Sequence, residues 1–295
     1  MNCNVKELIG LYGVKPSKSL GQNFLIDGNI IRRITEAAEV GVGDMVVEVG
    51  AGIGNMTRML AEKAGIVAAI EIDRRLLPAL EKNLEGLRNV YIINEDVLKL
   101  DIRNRIFSKR AHASISGGPL QIKVVSNLPY YITSPVIMKL LEELPEAGLL
   151  VLMVQKEVAD RIAAKPGSKD YGALSVAVQY YCTPEKVFDV PPHCFIPQPK
   201  VDSAVVRLTP NRNQSVGIKS REVFFKTVKA AFGQRRKTLA NALFNSGYFK
   251  ITKEEIINIL ANMGIDEKQR GETLSIRQFA ELSNVLSKHR NLQIS

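Results

Sequence analysis

Along this chain the spacing of hydrophobic positions changes repeatedly between two periods. Short apolar runs, rich in β-branched residues, lie at 45–49, 66–72, 90–94 and 122–126 and predict four strands. Apolar residues recur at three- and four-residue spacing beside them. Within 28–40 they are Ile30, Ile31, Ile34, Ala37 and Ala38, and 55–63, 74–86 and 134–143 are read in the same way as helices. Runs at 149–154, 173–181 and 203–208 predict three later strands, and 114–119 reads as a loop. Strands alternating with helices predict an α/β fold, a doubly wound and mostly parallel seven-stranded sheet. After Thr209 the pattern shifts. Residues 210–215 form a polar, turn-rich linker, and beyond it only helices are expected. One spans 222–245, and Thr252-x-x-Glu255 and Ser275-x-x-Gln278 are capping boxes opening two more. The expected division is therefore 1–209, a sheet domain, and 210–295, a linker and a small all-helical domain.

Composition adds a partner to this picture. The 295 residues carry 40 Lys and Arg against 30 Asp and Glu, a net charge of +10, which predicts a polyanionic partner such as nucleic acid or an acidic membrane surface. Cys3, Cys182 and Cys194 form no CxxC pair, and His112, His193 and His289 have no ligand spacing, so no metal is expected. No apolar stretch reaches a membrane span and the N-terminus lacks an apolar signal core, which predicts a cytoplasmic protein.

The candidate chemistry gathers at predicted strand ends. Asn127-Leu128-Pro129-Tyr130 follows the fourth strand, on the sheet edge where open α/β folds bind ligands. An amide beside a stackable ring suits a nucleobase held by its amino group. Glu48-Val49-Gly50-Ala51-Gly52-Ile53-Gly54 follows the first strand. Its glycines allow close backbone approach, although such a turn also serves purely structural ends. Asn55 stands where the dinucleotide fingerprint has its third glycine or alanine. Glu71 ends the second strand and suits two ribose hydroxyls. Glu95-Asp96 ends the third and suits an adenine amino group. Together they favour an adenosine-bearing cofactor without a pyrophosphate, S-adenosylmethionine. No carboxylate pair, Ser/His/Asp set or metal cluster competes for the chemistry.

Several segments resemble one family, the ribosomal RNA adenine dimethyltransferases, and within it the small-subunit (16S) N6-dimethyltransferase branch. They are Lys18-Ser19-Leu20-Gly21-Gln22-Asn23-Phe24-Leu25-Ile26-Asp27, the glycine loop, Glu71-Ile72-Asp73, Glu95-Asp96-Val97, Asn127-Leu128-Pro129-Tyr130, Phe195-Ile196-Pro197-Gln198-Pro199-Lys200-Val201-Asp202-Ser203 and Phe232-Gly233-Gln234-Arg235-Arg236-Lys237-Thr238-Leu239. The resemblance runs from about Lys15 to Leu282. It departs from the pattern at Ala51, where many members carry proline, and at Gly271, where alanine is commoner.

The resemblance implies a class I methyltransferase fold with Gln22, Asn23 and Leu25 across the cofactor. Gly50 would lie near its methionine part, Gly52 would also touch the cofactor, Glu71 would hold the ribose and Asp96 the adenine. Asn127 would sit between cofactor and target base. The Asn127 side-chain oxygen and the Leu128 carbonyl would accept the amino hydrogens. Pro129 would stiffen the turn, Tyr130 would stack on the base and Phe195 would close its other face. Tyr131 reads as structural packing. Lys226, Lys229, Arg235, Arg236 and Lys237 would meet RNA phosphates, with Lys15 and Lys18 extending the basic surface. The implied activity is N6-dimethylation of two adjacent adenosines in a hairpin loop near the 3′ end of small-subunit RNA. It would act as a monomer on a preassembled subunit during ribosome assembly. Two alternatives remain at this point: an Erm-like enzyme of large-subunit RNA, and an assembly factor acting mainly by binding.

Overall fold

The computed structural model describes residues 7, 10–13, 15–17, 19–110, 120–211, 216–234 and 236–289, and for 107–110 the backbone alone. The chain forms two compact units, Met1–Ala159 with Thr183–Pro210, and Asp160–Cys182 with Asn211–Ser295. The predicted loop at 114–119 and most of the linker at 212–215 lie outside the described residues.

The first unit is built on a seven-stranded sheet. Its strands are β2 (Asp44–Val49), β3 (Ile66–Ile70), β4 (Val90–Ile93), β5 (Gln121–Asn127), β6 (Ala147–Gln155), β7 (Cys182–Val190) and β9 (Ser203–Pro210), in the order β4-β3-β2-β5-β6-β9-β7. The pairs from β4 through β6 are parallel and β9 runs antiparallel to β6. Every residue of β2 and β3 is buried, Asp44 and Glu48 of β2 included, as expected of mostly apolar strands covered on both faces. A smaller antiparallel pair joins β1 (Phe24–Leu25) to β8 (Phe195–Ile196), with Leu25 opposite Phe195. Helices α1 (Gly28–Ala37), α2 (Asn55–Ala61), α3 (Leu77–Asn83), α4 (Ile102–Arg110) and α5 (Thr133–Glu143) connect the strands. Asp27 caps α1, accepting the Asn29 and Ile30 backbone N–H groups at 2.8 and 3.2 Å.

The strand order reverses between β2 and β5, which opens a crevice beyond their C-terminal ends. Their pairing stops at Val47 and Val124. Past that point the buried Ser126 hydroxyl serves both backbone groups of Val49, accepting its N–H at 3.2 Å and donating to its carbonyl. The strands can therefore part without orphaning buried backbone groups.

Three predicted features are corrected. Residues 173–181 form helix α7 (Ala173–Tyr181), not a strand. Ser175, Val176, Ala177, Val178 and Tyr180 are all buried, and a helix covered on most sides loses the apolar–polar period that distinguishes it. The seventh strand is β7 instead, alternately half-buried and exposed at the sheet edge, where Pro184 is tolerated. The helix expected over 222–245 is two, α8 (Arg221–Gly233) and α9 (Leu239–Asn245), with Thr238 capping the second. The division at 209 also shifts, because 160–182 packs within the helical unit. Helix α6 (Lys156–Ala163) was not predicted, nor was α4.

The helical unit adds α10 (Lys253–Asn262) and α11 (Ile276–Leu286), both opened by the predicted capping boxes. Its core joins Tyr171 and Tyr180 to Phe224, Val228, Leu239, Leu243, Leu260 and Phe279.

Candidate active site

The crevice is a cleft of about 990 Å³, part of it open solvent, walled by 20–25, the glycine turn, the ends of β3 and β4 and the turn after β5. The glycine turn is held by the Ile70 carbonyl, which accepts the Gly50 and Ala51 N–H groups at 2.8 and 3.1 Å. Gly52 sits at φ +61, and a Cβ there would come within 3.3 Å of the Phe24 ring. At Gly54, φ +86, a Cβ would fall 2.7 Å from Leu80. Glycine is required here by backbone conformation and by close packing.

The predicted acids meet this turn. Glu71 is buried, and its carboxylate accepts the Gly52 N–H at 2.7 Å and the Asp73 N–H at 2.8 Å. Burial raises its pKa, against those bonds. Each oxygen keeps a second lone pair for a ribose hydroxyl. Asp96 lines the cleft with Oδ1 fixed by the Leu98 N–H at 2.9 Å. Glu95 also lines it and pairs with Arg105.

The N-terminal motif lines the cleft where it is expected, and at two positions its side chains also hold the loop in place. The Gln22 side chain donates to Asp73 Oδ2 at 2.9 Å and accepts the Ser17 N–H at 2.7 Å. Asp73 is held near 2 by its contact with Arg75 first and the Gln22 amide after that. The Asn23 amide donates to its own loop, at Gly21 O. Both residues line the cleft, yet their side chains brace the loop. Leu25 is buried in the core and reaches the cleft wall from there.

Asn127 is oriented by that loop. Its amide nitrogen donates to the Asn23 carbonyl at 3.3 Å, which leaves the amide oxygen as the free acceptor. Leu128 is buried, its N–H bonded to Met153 O at 3.0 Å. The Pro129 carbonyl accepts both the Ile132 N–H and the Thr133 hydroxyl, closing the turn. Tyr130 lines the cleft and its hydroxyl bonds to Ser203 Oγ at 2.6 Å.

Phe195 is not on the cleft. It is 1% exposed and packs in the core with Leu25, Ile31, Ile34 and Val205. Its place in β8 opposite Leu25 turns the side chain inward, so the expected second wall for a base is absent from this position. Conversely Tyr131, read as packing, is 51% exposed and lines the cleft. Its ring lies against Gly21, and its hydroxyl pKa is raised by burial and by the negative charges of Asp96 and Glu71. It stands on the side of the two acids.

Glu48 is the least expected member. It is 1% exposed, lines the cleft, and its Oε2 finds no hydrogen-bond partner among the described residues. Burial pushes its pKa up to about 8, the Thr57 hydroxyl pulls the other way and Glu71 adds to the rise. An orphaned carboxyl in a cleft asks for a cation or a donor. S-adenosylmethionine fits these residues. Glu48 would face its ammonium, the glycine turn would admit its chain, and Glu71 and Asp96 would take ribose and adenine.

In the helical unit Lys226 is paired with Glu222 at 2.9 Å on α8. Lys229, Arg236 and Lys237 are exposed and form no ion pair among the described residues. Of that basic set, Arg235 and Lys18 lie outside the described residues. No group of three or more His, Cys, Asp or Glu forms a metal site among the described residues, and no helix there is long and apolar enough to cross a membrane.

The chain matches the ribosomal RNA adenine dimethylase family over residues 13–283. It is 52% identical to the ribosomal RNA small subunit methyltransferase A of Clostridioides difficile, covering 96% of this chain and 94% of that protein. It is 50% identical to the protein of the same name from Bacillus mycoides, covering 97% and 96%. Among solved structures it resembles a dimethyladenosine transferase from Plasmodium falciparum, with TM-score 0.71 and 28% identity over 89% of this chain and 96% of that one. It also resembles the 23S rRNA methyltransferase ErmE, with TM-score 0.64 and 28% identity over 90% of this chain and 100% of that one.

Proposed function

The chain belongs to the ribosomal RNA adenine dimethylase family, and from that membership we propose how its cleft works and on what. It is an S-adenosylmethionine-dependent enzyme that dimethylates adenine in small-subunit ribosomal RNA. Its targets are two adjacent adenosines in a hairpin loop near the 3′ end. It meets them as a cytoplasmic monomer on a preassembled subunit during ribosome assembly.

The observation that carries the chemistry is the fixed amide of Asn127, whose oxygen stays free between the glycine turn and Tyr130. S-adenosylmethionine, when bound, supplies an electrophilic methyl group on its sulfonium. The adenine amino nitrogen is a weak nucleophile because its lone pair is delocalised into the ring. Asn127 Oδ1 and the Leu128 carbonyl accept its two hydrogens and hold it in line. As the lone pair leaves conjugation the N–H groups grow more acidic, and both hydrogen bonds strengthen. That is positioning with transition-state-selective binding. Tyr130 stacks on the base, a contact worth about 1–3 kcal/mol that offsets the unstacking of a looped-out adenine. The proton leaves to solvent afterwards.

Identity of 50–52% to proteins named for the small subunit, against 28% to ErmE, supports the small-subunit RNA over the large. A binding role in assembly accompanies catalysis rather than replacing it, supported by exposed Lys229, Arg236 and Lys237 in a unit with its own core. The test is methyl transfer from labelled cofactor to small subunits lacking the modification, with mass spectrometry of the RNA. Two dimethylated adenosines in the 3′ hairpin are expected. Transfer to large-subunit RNA instead would overturn the substrate assignment.

A further inference from the structure

The Phe195–Ser203 segment does not do what a base-closing motif would do, since Phe195 is in the core. Its two ends instead grip two separate parts of the cleft wall. At one end, β8 pairs with β1, and the Cys194 carbonyl accepts the Ile26 N–H at 2.9 Å, which fixes the N-terminal loop. At the other end stands Ser203, 0% exposed, opposite Gln155 in the antiparallel pair of β9 and β6. The neighbouring Asp202 carbonyl accepts the Lys156 N–H at 3.0 Å. Ser203 is thus held rigidly, and its hydroxyl meets the Tyr130 hydroxyl at 2.6 Å.

Tyr130 needs such an anchor. It sits in a single turn of 3-10 helix after Pro129, and its backbone carbonyl contacts the Thr133 hydroxyl, but backbone bonds leave χ1 and χ2 free. The Ser203 bond ties down the far end of the side chain and so sets the plane of a ring that lines the cleft. A short hydroxyl–hydroxyl bond to a residue inside a sheet is a narrow constraint. We propose that Ser203 is a positioning residue for the target base. The last residue of the late motif orients the stacking ring of the Asn127–Tyr130 motif, 73 residues earlier in the chain. This rests on Tyr130 being the ring on which the adenine stacks.

The test compares wild type, Ser203→Ala, Ser203→Thr, Tyr130→Phe and the Ser203→Ala/Tyr130→Phe double variant. Two quantities are read: kcat/KM for methyl transfer to unmodified small subunits, and S-adenosylhomocysteine affinity by calorimetry. Ser203→Ala and Tyr130→Phe should each lower kcat/KM about 10-fold, the size of one hydrogen bond. The double variant should lose no more than either single, as partners in one bond require. Ser203→Thr should recover most of the loss. Affinity for S-adenosylhomocysteine should stay within about twofold throughout, which separates ring positioning from general damage to the fold. If Ser203→Ala is poorly folded, Tyr130→Phe, which keeps the ring, decides alone by the same two readouts. Wild-type kcat/KM in the variants, multiplied losses in the double variant, or a parallel fall in cofactor-product affinity would overturn the proposal. A wild-type protein that transfers no methyl overturns the functional assignment, and this one with it.

Discussion

The Tyr131 ring lines the cleft against Gly21, with Asp96 and Glu71 nearby. Tyr131→Ala should weaken S-adenosylhomocysteine binding about 10-fold while Tyr131→Phe weakens it less, measured by calorimetry; equal affinity in all three would return Tyr131 to packing. Glu71, Asp96 and Asn127 were legible in the sequence because each is a polar residue at or just past the end of a predicted strand, and all three line the cleft. The bracing by Gln22, the core place of Phe195 and the cleft place of Tyr131 were not, because they depend on partners far away in the chain: Asp73, the core beside Leu25, and Gly21 with the two acids. Glu48 supports a sharper expectation. With its pKa raised from 4.5 to about 8, the cofactor-free protein keeps it protonated at pH 7, where the unfolded chain has ionised it. The folded state therefore binds the extra proton, and this contribution to stability, full below pH 4.5, is lost as pH rises to about 8. The loss at pH 7 is about 3 kcal/mol. Glu48→Gln should then raise Tm relative to wild type by about 5 °C at pH 8 and by little at pH 5, followed by thermal denaturation across that range. A cationic cofactor favours the ionised form, so its binding to wild type should release a proton and tighten from pH 6 to 8. Calorimetry in buffers of different ionisation enthalpy reads that release, and Glu48→Gln should abolish it. A Tm difference constant with pH would mean that Glu48 is ionised before the cofactor arrives.

At the scale of elements, the strands β2, β3, β5 and β6 were legible because both faces are covered and their residues are mostly apolar, with only Glu48 interrupting the run in β2 and Lys123 that in β5. The same feature misled at α7, another element buried on most sides. Edge strand β7 hid behind Pro184 and its charges, since an edge needs neither a full ladder nor a full apolar face. The break between α8 and α9 carried a signal in Gly233 and Thr238, outweighed by the apolar stripe of Phe224, Val228, Phe232, Leu239 and Leu243. That stripe does form one core face. Gly271 is one of the two departures from the resembled pattern, and it is tightly packed. A Cβ there would fall 2.8 Å from both the Cβ and the carbonyl oxygen of Ala231 on α8. Gly271→Ala should lower stability by about 1–3 kcal/mol, as overpacking does. Adding Ala231→Gly removes the Cβ but not the carbonyl, so it should recover only part of the loss. Denaturant titrations of the three proteins check this. A neutral Gly271→Ala would mean that α8 shifts freely to make room.

For the whole molecule, net charge is the first hint of RNA, and the proposed function divides the task between the two units. The sheet unit holds the cleft proposed to select an adenine. The helical unit carries half-buried Lys226, paired with Glu222, and exposed Lys229, Arg236 and Lys237, which form no ion pair among the described residues. Phosphate contacts set affinity and orientation, while base contacts set which nucleotide reacts. Changes to the two should therefore separate. Replacing Lys229, Arg236 and Lys237 together by Gln should weaken binding to small subunits and flatten the slope of log K against log salt by about 2–3, near 0.7–0.9 for each phosphate no longer neutralised. S-adenosylhomocysteine affinity should not change. Asn127→Ala should do the reverse, leaving subunit binding and its salt slope intact while methyl transfer falls at least 100-fold, because the missing acceptor acts mainly as the amino group becomes acidic. Filter binding across a salt series, beside single-turnover transfer, reads both. If Asn127→Ala loses subunit binding as well, the base pocket itself supplies the affinity, and docking is not the task of the helical unit.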